Sequence, residues 1–276
     1  MIMVLAGTKE GRKIAGSLEE AGFPVLATAV SSYGSLLLRQ NLHGMILSGG
    51  LDEENLARVM VENHVKLVID ATHPFAVNAS RNVMAACTRL NIPLLRFERE
   101  SIQWDDSDRG YEKTIWVEHL EAAVLAVKEY EKVFLTTGSS GLETFTRKLG
   151  AERIIARVLP TLQSLRNCEE VGISPANIIA MQGPFSTELN REMFLHARAG
   201  VVVTKESGKT GGLKEKVKAA EQLGLPIVII KRPSLSYGLT FSTINEILDH
   251  KVIKLFFTSL PTIIKGKSVN SLIVVK

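Results

Sequence analysis

The chain reads as an α/β protein made of two Rossmann-like parallel-sheet domains facing each other across a cleft. Three observations carry that expectation. Short β-branched runs alternate with amphipathic runs of helical period, the pattern of parallel α/β architecture. The pattern restarts after a charged stretch at Glu129–Lys132. The halves also echo each other: Leu90-Asn91-Ile92-Pro93-Leu94 matches Leu223-Gly224-Leu225-Pro226-Ile227, and each leads into a strand that reaches an arginine, Arg96 or Arg232. The intervals from Asp70 to Pro93 and from Val203 to Pro226 are equal in length. Duplication accounts for this echo, and so does the general likeness of βαβ units.

In the first half, Ile2–Ala6 is the expected first strand. Glu10–Ala21 follows as a helix with Ile14, Ala15, Leu18 and Ala21 on one face and Gly22 as its stop. Strands are expected at Val25–Val30 and Met45–Leu47, then a helix at Glu53–Asn63 with Asp52 as N-cap. Lys66–Ala71 reads as a buried strand, Ala76–Leu90 as a helix and Pro93–Phe97 as a strand; Glu98–Lys113 looks like a surface insertion or crossover. In the second half, strands are expected at Lys132–Thr136, Arg153–Leu159, Ile178–Met181, Val201–Thr204 and Ile227–Ile230. Helices are expected from the Thr137–Gly141 turn to about Leu149 and at Thr161–Glu169, Thr187–Ala199 and Leu213–Leu223. The expected domains are 1–130 and 131–250, with 251–276 as a tail of no assigned role.

Composition narrows the function. The 276 residues leave room for two domains, and 45% hydrophobic with 22% charged residues leaves none for extensive disorder. A net charge of +4 is too small to argue for nucleic acid but suits an acidic small molecule. Two cysteines, Cys87 and Cys168, exclude a disulfide framework and a cysteine-only metal site and fit a reducing compartment. No leader segment and no bilayer-length apolar run is visible, so a cytoplasmic protein is expected.

Ligands of open parallel sheets bind beyond the carboxyl ends of the strands, so the loops there carry the chemistry. The first is Gly7-Thr8-Lys9-Glu10-Gly11-Arg12, a loop for a pyrophosphate that lacks the full G-x-G-x-x-G pattern and serves equally as a plain turn. After the second strand come Ser31 and Ser32 where an NAD-binding domain carries an acid; this leaves room for a 2′-phosphate and favours NADPH. The third loop, Asp70-Ala71-Thr72-His73-Pro74-Phe75-Ala76, places an acid, a hydroxyl, an imidazole and an aromatic face behind a buried strand. With a single well-placed histidine, no metal site is expected. In the second half, Gln182-Gly183-Pro184-Phe185-Ser186 and Lys205-Glu206-Ser207-Gly208 with Gly211-Gly212 end strands, and Lys216 and Arg232 complete a basic rim.

The Gly7–Arg12, Asp70–Ala76 and Gln182–Ser186 loops and Lys205–Gly208 with Gly211-Gly212 together resemble, in order and over about residues 2–233, the precorrin-6A reductase family of cobalamin biosynthesis. The first loop departs from the family pattern, with Ala6-Gly7 where two glycines are common. The resemblance implies NADPH-dependent reduction of one double bond of precorrin-6A, or its cobalt form, to precorrin-6B, with cofactor and tetrapyrrole in a cleft between two domains. The expected catalytic residues are Thr72 and His73. Cofactor contacts are expected from Gly7, Thr8, Glu10, Gly11, Arg12, Ser31, Ser32, Asp70, Lys205, Ser207 and Gly208, and substrate contacts from Phe75, Gln182, Gly183, Lys216 and Arg232. No nucleic-acid or membrane partner is expected. The competing readings are a non-catalytic two-domain ligand sensor and another Rossmann-type NADPH reductase.

Overall fold

A computed structural model describes residues 1–99, 111–208, 211–251, 253 and 272–274. The chain divides into two compact units, Met1–Arg99 with Ser234–Lys276, and Glu100–Pro233.

The first unit runs β1 (Ile2–Leu5), α1 (Lys9–Glu20), β2 (Val25–Ala29), α2 (Ser32–Arg39), β3 (Met45–Ser48), α3 (Glu53–Glu62), β4 (Leu67–Asp70), α4 (Val77–Leu90) and β5 (Leu94–Phe97). Its strands form a wholly parallel sheet in the order β5-β4-β1-β2-β3. The order reverses at β1, which lies between β2 and β4, and such a switch point opens a crevice at the strands' carboxyl ends. Alternation along β1 builds the core on both faces. Ile2 and Val4 pack with Ile14, Ala15 and Leu18 of α1, while Met3 and Leu5 pack with Leu56 and Met60 of α3 and Val83 of α4.

The second unit contains β6 (Thr114–Val117), α5 (Leu120–Ala126), β7 (Val133–Leu135), α6 (Leu142–Leu149), β8 (Ile154–Val158), α7 (Leu162–Glu170), β9 (Ile178–Ala180), α8 (Thr187–His196), β10 (Val201–Lys205), α9 (Leu213–Gln222) and β11 (Ile227–Ile230). Its parallel sheet has the order β6-β11-β10-β7-β8-β9. Stripped of β6, this repeats the first sheet with β7 in the place of β1, which is the structural form of the sequence echo. The chain then returns to the first unit with β12 (Leu239–Phe241) on β5, α10 (Ile244–Asp249), whose Ile247 joins the first core, and β13 (Leu272–Val274) on β3.

The expected elements are present to within a few residues at each end, including the Asp52 cap, whose carboxylate accepts from Asn55 N at 2.8 Å. The described elements that were not anticipated are α2, β6, α5, β12, α10 and β13. The expected boundary at 130/131 differs from the observed division because β6 pairs with β11 and β12 pairs with β5. Non-local pairing of this kind leaves no trace in local periodicity. Most of the expected Glu98–Lys113 insertion lies outside the described residues, as does most of the tail from 251 apart from β13.

Candidate active site

In the first unit, the crevice beside β1 is lined by Gly7, Thr28, Val30, Gly49 and Thr72 among others. The loop from β1 into α1 forms one wall. Thr8 is the N-cap of α1: its hydroxyl accepts from Gly11 N at 3.0 Å and donates to the Ala71 carbonyl at 2.9 Å. Its proton therefore ties this loop to the β4 loop. Gly11 is also a packing residue, since a Cβ there would stand 2.9 Å from Ala6 Cα and 3.1 Å from Ala71 Cβ. At Gly7 a Cβ would meet nothing within 4 Å, so the space beside this backbone is open. Arg12 stands half-buried in the first turn of α1, and Glu10 pairs with Arg99 at 2.8 Å.

At the end of β2 no carboxylate occurs. Val30 is exposed, Ser31 caps α2 by accepting from Gly34 N at 3.0 Å, and Ser32 is exposed in its first turn.

The loop after β4 is anchored by a charge pair with no solvent exposure. Asp70 Oδ1 accepts from Arg96 Nη1 at 3.0 Å and from Thr72 N at 3.0 Å, while Oδ2 accepts from Ser80 Oγ at 2.6 Å. Arg96 Nη1 also donates to Thr72 Oγ1 at 3.1 Å, and the Tyr237 ring covers the guanidinium at 4.6 Å. Asp70, expected to touch cofactor, is thus a wholly buried anchor, and Thr72 is the group of this network that reaches the crevice. His73 Nδ1 accepts from Phe75 N at 3.2 Å, so the neutral imidazole carries its proton on Nε2. Its ring lies 5.8 Å from that of Phe75.

In the second unit, Gln182 and Gly183 are exposed ahead of α8, and the Gly183–Pro184 peptide is cis. Lys205 ends β10, and burial lowers its pKa. Ser207 is buried, Gly208 has φ +73°, and a Cβ on Gly211 would fall 1.8 Å from Ser207 Oγ, so this loop needs its glycines. Lys216 is not part of an exposed rim. It is 8% exposed, donates to Gly211 O at 2.7 Å, and has a pKa brought down to about 7 by burial and by the charge of Arg157. Arg232 is turned onto the neighbouring loop, where its Nε donates to Glu206 O at 3.2 Å and its backbone N donates to the Glu206 carboxylate at 3.2 Å.

Arg157 was missed in the sequence. It sits on β8, 7% exposed, donates to Asn190 Oδ1 at 2.8 Å and stacks on Phe185 at 4.4 Å. Burial brings its pKa down to about 10. Arg157 and Lys216 therefore form a desolvated pair of like charges, an arrangement that an anionic ligand would relieve. The signal for Arg157, as for Arg96, was a single cation inside an apolar strand. Among the described residues, no cluster of His, Cys, Asp or Glu is placed to hold a metal, and no helix is long and apolar enough to cross a membrane.

The family model for "Precorrin-6x reductase CbiJ/CobK" matches residues 1–251. The chain is 38% identical over 251 residues to the cobalt-precorrin-6A reductase of Priestia megaterium, covering 90% of this chain and 96% of that protein. It is 39% identical over 254 residues to the enzyme of the same name from Methanothermobacter thermautotrophicus, covering 90% and 82%. Among solved structures, "CobK precorrin-6A reductase" superimposes with a TM-score of 0.70 at 26% identity, covering 90% of this chain and 94% of that one. Sequence, fold and the order of the loops agree, and the chain belongs to the precorrin-6x reductase CbiJ/CobK family.

Proposed function

We propose that this protein reduces one ring double bond of precorrin-6A, or of its cobalt complex, to the 6B form in cobalamin biosynthesis, with NADPH as reductant. Family membership across residues 1–251 carries the reading, and the two units supply chemistry that agrees with it.

The first-unit crevice suits a dinucleotide. Open space lies beside the Gly7 backbone next to the N-terminus of α1, whose first-turn N–H groups and positive dipole end favour a pyrophosphate. Arg12 adds a cation in the same turn. The absence of a carboxylate at Val30–Ser32 removes the group that would repel a 2′-phosphate, which favours NADPH over NADH. NADPH, when bound, supplies the hydride; the protein's tasks are to orient, to exclude water and to place charge. Thr72 offers a hydroxyl at the crevice wall, and His73, in its imidazolium form, is the group of this loop able to give a proton to a ring carbon. Phe75 offers a flat apolar face. In the second unit, Arg157, Lys205 and Lys216 are desolvated cations suited to substrate carboxylates, and exposed Gln182 and Gly183 offer neutral hydrogen-bonding groups.

The test is anaerobic oxidation of NADPH with precorrin-6A and, separately, with its cobalt complex. Oxidation with one of them is expected and also identifies the natural form. Tight NADPH binding without oxidation by either would remove the substrate assignment and leave the fold intact.

A further inference from the structure

The second unit buries two neighbouring cations, Arg157 on β8 and Lys216 on α9. Among the described residues neither makes an ion pair. Arg157 donates to Asn190 Oδ1 at 2.8 Å and to Met193 Sδ at 3.5 Å, and Lys216 donates to Gly211 O at 2.7 Å. Glu215, in the first turn of α9, favours the Lys216 ammonium at a distance, while the charge of Arg157 opposes it. Helix α8 packs against α9, and the loops that lead into them touch. A Cβ on Gly212 would stand 3.5 Å from Pro184 Cβ, and the next residue, Phe185, lies with its ring 4.4 Å from the Arg157 guanidinium.

The guanidinium is held in one pose. Asn190 is 1% exposed, and its Nδ2 donates to Phe185 O at 3.2 Å and to Ser186 O at 2.8 Å. Its Oδ1 is therefore the atom left to face Arg157, which commits Nη1. The Nε–Nη2 edge, a fork that matches a carboxylate with two parallel hydrogen bonds, has no partner among the described residues. In Arg96 the same two atoms are sealed from solvent beside Asp70; in Arg157 they keep an opening to it. Lys216 Nζ likewise spends one of its three protons inside the protein. Desolvated donors with no counter-charge are costly, and a bound oxyanion offsets that cost.

We propose that Arg157 and Lys216 share one carboxylate arm of the substrate, which pairs with the Nε–Nη2 edge of Arg157 and takes a further hydrogen bond from the Lys216 ammonium. A single negative charge between two neighbouring buried cations is attracted by both and screens each from the other. The planar fork favours a carboxylate, and Asn190 and Phe185 hold it ready before the substrate arrives. The proposal rests on the reading of the substrate as a tetrapyrrole with carboxylate arms.

Two measurements test it, and the first needs no substrate. Urea unfolding is followed at pH 7 with glutarate, a small dicarboxylate, and with sodium chloride of equal ionic strength. Glutarate should raise the midpoint of the wild type, raise that of Lys216→Met less, and leave that of Arg157→Gln unchanged. The midpoints without glutarate show that each variant folds. The second measurement is steady-state reduction of the form of precorrin-6A that is turned over. Arg157→Gln should raise the substrate KM about thirtyfold and Lys216→Met about fivefold, with the KM for NADPH within about twofold of wild type. Arg157→Lys keeps the charge without the fork and should fall between wild type and Arg157→Gln. With one shared carboxylate, the double variant should be little worse than Arg157→Gln alone. Single effects that multiply would mean a separate carboxylate for each cation and would overturn the sharing. No glutarate protection of the wild type, or equal protection of Arg157→Gln, would overturn the site itself. Protection that depends on Arg157, with neither form of precorrin-6A reduced, would instead remove the substrate reading and with it the proposed occupant.

Discussion

Lys216 gives a prediction in which sign, size and pH window all follow from the structure. Its ammonium is desolvated on α9 near the Arg157 charge, and these two effects, burial first, bring its pKa from 10.5 to about 7. In the unfolded chain it titrates near its ordinary value. Between the two pKa values the unfolded state holds a proton that the folded state lacks, so stability must rise with pH from about 7 to 10.5 and level off beyond. Each pH unit inside that window is worth about 1.4 kcal/mol. Allowing for the half-titrated group at pH 7, the gain from pH 7 to pH 9 is about 2 kcal/mol. Lys216→Met keeps an unbranched chain of similar length and removes the charge. It forfeits one hydrogen bond to Gly211 O, about 1 kcal/mol, and relieves a desolvated cation. The variant should therefore be more stable than the wild type at pH 7, and most of the advantage should vanish at pH 9. Urea unfolding of both proteins at the two pH values, read as the difference between them, isolates this group from everything else that titrates. Parallel pH responses, or a variant less stable at pH 7, would refute the reasoning. A bound polycarboxylate should flatten the wild-type response by giving the ammonium a partner.

Gly11→Ala should destabilise by about 1–2 kcal/mol in urea unfolding, since a Cβ 2.9 Å from Ala6 Cα overpacks the α1–β1 contact by more than the gain in helix propensity. Ser31→Asp keeps an N-cap acceptor for Gly34 N while adding a carboxylate at the end of β2. It should shift the ratio of NADPH to NADH affinity toward NADH by at least about tenfold at unchanged stability, measured by fluorescence titration. His73→Ala should leave NADPH affinity within about twofold and lower kcat about a hundredfold if Nε2 delivers the proton; normal kcat with an unchanged pH profile would remove the acid role.

Much of the fold was legible because its signals are local. The period of the apolar residues marked the principal helices and strands of both sheets, and the expected Asp52 caps α3. The identity of the loops, which carries the family resemblance, is likewise a property of contiguous residues. The helix α2 was missed because its eight residues follow β2 after a very short turn and open on serine, tyrosine and glycine rather than a clear apolar stripe. The site was legible only by position. The residues marked after β1, β2, β4 and β10 do follow those strand ends, but which atom each offers depends on partners distant in the chain. Thr8 spends its proton on Ala71, Asp70 on β4 is buried against Arg96 on β5, and Lys216 faces the charge of Arg157 from β8.

Alternating strands and helices, the order of the loops and the missing acid after β2 are thus properties of the chain by itself, since they need only neighbours in sequence. The tertiary structure decided that β6 and β12 pair where they do, that Arg157 and Arg96 are buried cations, and that Tyr237 closes over the Asp70 network. Strand partners, desolvation and the direction of a hydrogen bond are set by which groups meet across long intervals of sequence, and that is fixed only when the sheets assemble.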